Sequence, residues 1–230
     1  MPTPLEMQRT FAIVGTGGCG KTSLAEMLLF KAGVITRLGA IEDGTTNLDY
    51  EPEEIRRRGS VQPACATYLW NKNRHFLLDI PGDGNFTGDM ECLLKGVDGV
   101  IFVLDAVDGV RPLAKKFWGL VHAAGLPAII VINKMDRDRA DFQMALDGLS
   151  GLGVKPVVLQ MPIRQGDAFM RPGALAAHPL PGALVVSGAP QCRRQCIASA
   201  ADLARRAGYA ASSGPPAAHT AAGMEQPLPV

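Results

Sequence analysis

The stretch IVGTGGCGKTSLAEMLL, Ile13 to Leu29, places four glycines within the six residues from Gly15 to Gly20, directly before Lys21-Thr22 and a run with helical spacing. Glycine loses more backbone freedom on folding than any other residue, so such a cluster marks a place where something must come close to the main chain. Gly15-Thr16-Gly17-Gly18-Cys19-Gly20-Lys21-Thr22 fits the spacing G-x-x-x-x-G-K-[ST], with the apolar strand pattern FAIVG before it and a helix after it. In that context the N–H groups from about Gly17 to Thr22 converge on phosphate oxygens. The N-terminal end of the helix adds attraction for an anion. Lys21 delivers a point charge to the outer phosphates, and the Thr22 hydroxyl is a ligand for Mg2+.

Outward from this loop the chain alternates strands with helices. GVIFVLDA and PAIIVIN are short and almost wholly apolar, as strands buried on both faces of a parallel sheet are. ATYLW and RHFLLDI, joined by Asn-Lys-Asn, read as a hairpin. SLAEMLLFKAGVI, with Leu24, Met27, Leu28 and Lys31 at i, i+3, i+4 and i+7, PLAKKFWGLVHAAG and RADFQMALDGLSG supply helices, and EPEEIRRRG suits a short solvated one. The order predicts an α/β fold, a mostly parallel sheet of the P-loop NTPase type with helices on both faces, over residues 8–165. Residues 166–230 contain no lysine and few carboxylates and are rich in Ala, Pro, Gly and Arg. They read as a disordered or loosely helical tail. The domain is thus expected to lack its last strand. The tail's bias is also what an out-of-frame reading of a GC-rich gene would produce.

Two further motifs fall at strand ends, where sheets of this kind bind ligands. In LLDIPGDG, Asp79 ends a strand and is spaced D-x-x-G from Gly82; the carboxylate would hold Mg2+, through water, and the Gly82 N–H would contact a terminal phosphate. In VINKMD, Asn133-Lys134-x-Asp136 selects the base. A carboxylate at Asp136 accepts the two N–H donors on guanine's N1 and N2 edge, which adenine lacks. Asn133 would brace the loop and Lys134 lie over the base plane. The bound ligand is then GTP or GDP with Mg2+.

Together with EDGTTNLDYEPEEIRRRGS (residues 42–60), VDGVIFVLDAVDGVRP, LPAIIVINKMDRDRADF and LGVKPVVLQMPI, these motifs resemble the GTP-binding domain of bacterial elongation factor G, its divergent second-type relatives in particular. The resemblance covers about Phe11 to Phe169. It implies a cytoplasmic translational GTPase whose partner is the ribosome. Two positions depart from the family. Where its first switch carries a Mg2+-ligating threonine stands Val61, which has no oxygen to offer; Ser60, one residue earlier, is the candidate metal ligand in its place. Where the family has a histidine that orients the attacking water stands Asp83. Asp83 and Lys21 are therefore the expected catalytic groups. The family's inserted subdomain, its Ser-Ala loop against guanine and its later domains are not recognisable; VVSGAP at 185–190 is not assigned to that loop. Three activities fit: a GTP hydrolase, slow or ribosome-dependent; a binding module that does not hydrolyse; and a truncated, non-functional fragment.

Bulk properties narrow the partners. The chain has 230 residues, 47% of them hydrophobic, and a net charge of +1, so it carries no direct nucleic-acid signal and no membrane signal. The N-terminus MPTPLEMQRT lacks the basic and apolar segments of a signal peptide. Cys19, Cys65, Cys92, Cys192 and Cys196 are odd in number and scattered, which suits reduced thiols. Trp70 and Trp118 read as packing residues. His75, His122, His178 and His219 show no ligand spacing.

Overall fold

Alternating side chains on the central strands bury both faces of one sheet. The computed structural model describes residues 4–154 and, beyond them, the strands at 156–158, 163–165, 168–170 and 182–187. In chain order the strands are β1 (Gln8–Gly15), β2 (Ala64–Trp70), β3 (Asn73–Asp79), β4 (Gly99–Asp105), β5 (Ala128–Asn133), β6 (Pro156–Val158), β7 (Ile163–Gln165), β8 (Ala168–Met170) and β9 (Gly182–Ser187). The α-helices are α1 (Lys21–Lys31), α2 (Pro52–Arg57), α3 (Thr87–Leu94), α4 (Pro112–Ala123) and α5 (Phe142–Ser150). Seven strands form a sheet in the order β2-β3-β1-β4-β5-β9-β6, and β7 pairs with β8 separately. The run β3-β1-β4-β5 is parallel, and the pairs β2–β3, β5–β9 and β6–β9 are antiparallel. The expected α/β fold with a mainly parallel sheet is the one observed.

Period-two alternation divides the core. Val100, Phe102 and Leu104 of β4, with Ala12 and Val14 of β1, pack with Phe117 and Trp118 of α4 and Leu149 of α5 on one face. Val103 and Ile13, one residue out of step, pack with Leu24 and Leu29 of α1 and Leu77 of β3 on the other. Each such fully buried aliphatic or aromatic side chain contributes roughly 1.5–3 kcal/mol. Trp118 meets Phe102 edge-on at 5.3 Å, the packing role expected of it. Among the described residues no helix is long and apolar enough to cross a membrane.

Three local features differ from expectation. The β2–β3 hairpin turns on two residues, Asn71 and Lys72, both at positive φ (48° and 67°), the geometry that matches the strands' twist. Helix α3 has no clean apolar period and was not expected; Met90 and Leu94, one turn apart and both buried, pack into the first core face. The residues assigned to a tail begin at 166, yet one piece of them, β9, lies in the sheet beside β5, so β5 is not left as an open edge. An almost continuous apolar run, GALVVS, satisfies the β5 main chain that would otherwise stay unpaired. Cys192 and Cys196, and His178 and His219, lie outside the described residues.

A buried polar stack sits where the hairpin meets β1. Tyr68 lies face to face with His75 at 5.0 Å, and Phe11 contacts both rings edge-on. Burial, helped by Arg9 on the adjacent strand, holds the His75 pKa below its ordinary value. An unfolded histidine takes up a proton near pH 6.5, and the native ring does so only at lower pH. Stability is therefore expected to fall as pH drops from about 6.5 toward that lower value. Thermal melts between about pH 5 and 7.5 check this: His75→Phe should flatten the slope relative to the wild type.

Candidate nucleotide site

Parallel strands bring β1, β3, β4 and β5 to one edge of the sheet, ending in Gly15, Asp79, Asp105 and Asn133. Register makes them neighbours: Ile13 pairs with Asp79, Gly15 with Val103 and Asp105 with Asn133. The phosphate loop follows β1 at this edge. It needs two residues at positive φ, Gly18 (74°) and Gly20 (97°), and α1 begins immediately after the second. Gly15 has no room for a side chain, since a Cβ there would lie 2.4 Å from the Val103 carbonyl.

The D-x-x-G loop lies directly on the phosphate loop. The Gly17 N–H donates to the Gly82 carbonyl at 2.9 Å, and a Cβ on Gly82 would stand 2.3 Å from Lys21 Nζ. Phosphate-loop N–H groups need acceptors, and the Gly82 carbonyl supplies one. Lys21 Nζ likewise donates to the Thr16 carbonyl at 3.1 Å. The N-K-x-D loop is tied to the same place by Asn133, whose Nδ2 donates to the Cys19 carbonyl at 2.9 Å. Asp136, three residues on, is exposed. Asn133 thus ties the loop after β5 to the phosphate loop. Burial raises the pKa of the Cys19 thiol, against the pull of Lys21 and Lys134.

Lys134 is held by a group the sequence reading did not single out. Its Nζ pairs with Asp105 at 2.6 Å, and its backbone is left-handed (φ 61°). Burial alone would raise the Asp105 carboxyl, but hydrogen bonds from Lys134 and the Val107 N–H more than offset it and lower its pKa. The sequence carried a clue: VLD at the end of β4 repeats LLD at the end of β3.

A cluster of oxygens lies at the start of α1. Thr22 Oγ1 is 3.2 Å from Ser60 Oγ, and Ser60 Oγ donates to Asp49 Oδ1 at 2.7 Å. Both carboxylate oxygens of Asp79 and the second oxygen of Asp49 are buried without a hydrogen-bond partner. Burial pushes the Asp79 pKa up to about 6, with Lys21 opposing, and raises that of Asp49 as well. Orphaned carboxylate oxygens beside two hydroxyls are a hard donor set and fit Mg2+. Among the described residues no group of three or more His, Cys, Asp or Glu could hold a metal ion. Asp49 was missed because nothing in NLDY marks it; only the folded segment carries it to Ser60. The Val61 N–H donates to Glu54 at 2.9 Å, and it is Ser60 whose side chain meets Thr22. Asp83 is exposed, and its Oδ1 accepts the Asn85 N–H at 3.0 Å, capping the turn before α3.

A sheet edge carrying a phosphate loop, a D-x-x-G loop and an N-K-x-D loop in mutual contact defines a GTP-binding domain of the P-loop class. Residues 6–186 match the family described as Elongation factor Tu GTP binding domain, and the chain belongs to that family. Among solved structures it is similar to the crystal structure of ttk003000868 from Thermus thermophilus, at 37% identity with a TM-score of 0.66 over 71% of this chain. The match spans 24% of that protein's length. The chain is therefore a GTP-binding domain of the translational-GTPase type.

Proposed function

We propose that the chain binds GTP and GDP with Mg2+ as a domain of elongation factor G type, and that it hydrolyses GTP slowly on its own. The observation that carries this is the double tie of the phosphate loop: Gly17 to the Gly82 carbonyl on one side, Asn133 to the Cys19 carbonyl on the other, each at 2.9 Å. Residues 8–165 with β9 make the nucleotide-binding domain. Gly15 to Gly20, Lys21 and Thr22 cradle the phosphates; Gly82 turns its peptide toward the last phosphate when one is present. Asp136 reads the guanine edge while Asn133 and Lys134 frame it. Thr22, Asp79, Ser60 and Asp49 would hold Mg2+, which neutralises charge on the outer phosphates when bound.

Slow hydrolysis follows from what is missing. Asp83 takes the place of a water-orienting histidine with a carboxylate already engaged in a cap, so it orients water poorly and repels the terminal phosphate. The ribosome, as partner, would have to supply the rest of the acceleration. Ser187 stands apart from the base site on this reading: it lies opposite Ala128, five residues along β5 from Asn133, a separation of about 17 Å.

Titration of a fluorescent guanine nucleotide, with and without Mg2+, tests the proposal. Binding should tighten at least tenfold with Mg2+. Asp79→Asn should abolish that gain while raising the melting temperature of the metal-free protein, because an amide is cheaper to bury than a charged, unpartnered carboxylate, by on the order of 1–3 kcal/mol. No binding in either condition would overturn the proposal. Single-turnover GTP hydrolysis with and without ribosomes separates a slow hydrolase from a binding module.

A further inference from the structure

The segment between α1 and β2 is held by a carboxylate outside every motif described above. Glu26 lies one turn after Thr22 on α1 and is 1% exposed. Its Oε1 accepts the Asn47 N–H at 2.5 Å, and its Oε2 accepts the Asn47 side-chain amide at 3.0 Å and the Gly39 N–H at 3.3 Å. Gly39 and Asn47 are the two ends of a closed turn. Inside it, Thr45 donates its N–H to the Ala40 carbonyl and Gly44 donates to the Ile41 carbonyl. Gly39 has to be glycine for this closure, since a Cβ would lie 2.4 Å from the Thr45 carbonyl. One buried carboxylate thus staples both ends of the turn to the helix that opens at the phosphate loop.

The staple leads to the oxygen cluster. Leu48 follows Asn47 into the core face beside α1. Asp49 comes next, with its carbonyl accepting from Thr46 Oγ1 at 3.2 Å and its carboxylate accepting from Ser60. Thr22 and Glu26 stand on one helix face at i and i+4, so the helix touches the segment twice: through Thr22 at Ser60 and through Glu26 at Gly39 and Asn47.

We infer that Glu26 is a positioning residue, which fixes Asp49 and Ser60 over the cation site by pinning the 39–47 turn to α1. This rests on the Mg2+–nucleotide reading above. In that reading Glu26 touches neither nucleotide nor metal, and its removal loosens only what the cation needs.

Two variants of the full chain test it. Glu26→Gln removes a charged acceptor from the helix. Asn47→Asp, at an exposed position, places a second carboxylate against Glu26 without disturbing the core. In nucleotide-free protein, tryptic cleavage after the exposed Arg37 should quicken at least fivefold in both. Fluorescent GDP should leave about tenfold faster than from wild type in Mg2+ and at the wild-type rate in EDTA. Equal acceleration in both solutions means a merely structural role and overturns the inference. Wild-type cleavage and release for Asn47→Asp overturn it too, and that variant decides the matter if Glu26→Gln fails to fold. If wild-type protein binds no guanine nucleotide, the proposed function fails, and the cleavage rates alone decide the staple.

Discussion

Asp136→Asn is expected to weaken guanine-nucleotide binding by about 10²–10³-fold. The wild-type carboxylate offers acceptors to both N–H donors of the guanine edge, and hydrogen bonds to a charged group contribute about 1.5–3 kcal/mol each. An asparagine keeps one acceptor and turns an N–H₂ toward a donor on the base, which leaves two donors facing each other. Xanthine presents an acceptor at the same place, so the variant should regain affinity for a xanthine nucleotide. Competition titrations with GDP, ADP and xanthosine diphosphate check both halves. Asp136 is exposed and lies outside the core, so the thermal melt should be unchanged. An unaltered GDP affinity would remove the base-recognition argument while leaving the phosphate loop standing.

Gly20→Ala is expected to reduce nucleotide binding by more than about 100-fold and to destabilise the domain, whereas Gly18→Ala should do neither on that scale. Both glycines sit at positive φ, 97° and 74°, where an L-residue costs about 1–2 kcal/mol. Their surroundings differ. A Cβ on Gly20 would lie 2.3 Å from Asn133 Nδ2, whereas around Gly18 nothing lies within 4 Å. The Gly20 methyl must therefore displace Asn133 and break its bond to the Cys19 carbonyl, which separates the base-reading loop from the phosphate loop. Comparing the two variants by melting temperature and nucleotide titration subtracts the backbone strain they share and leaves the clash. Equal losses in both would mean that Asn133 does not couple the loops.

Much of this site was legible along the chain, for identifiable reasons. The loop Gly15–Thr22, Asp79 and the Asn133–Asp136 turn each follow an apolar strand, and parallel strands have only one edge at which to end together. The almost continuous apolar runs GVIFVLDA and PAIIVIN were enough to predict a sheet buried on both faces. The hairpin turn was read one residue too long, because Asn73 already pairs with Trp70. Helix α3 escaped because its two core contacts, Met90 and Leu94, form too short a stripe to stand out beside Gly88 and Asp89.

What the amino-acid order determined by itself is the set of short-range devices: glycines where the backbone must bend left-handed, a lysine and threonine at a helix start, strand-ending carboxylates, and the absence of an oxygen at Val61. These depend on neighbours a few residues away, and spacing records them. The tertiary structure alone decided which side chains meet from afar. Asp49 reaches Ser60, Glu26 reaches Gly39 and Asn47, Asp105 reaches Lys134, and Asn133 crosses 114 positions to Cys19. A buried carboxylate must find a donor or a cation wherever the folded chain brings one, and that demand leaves no period in the sequence.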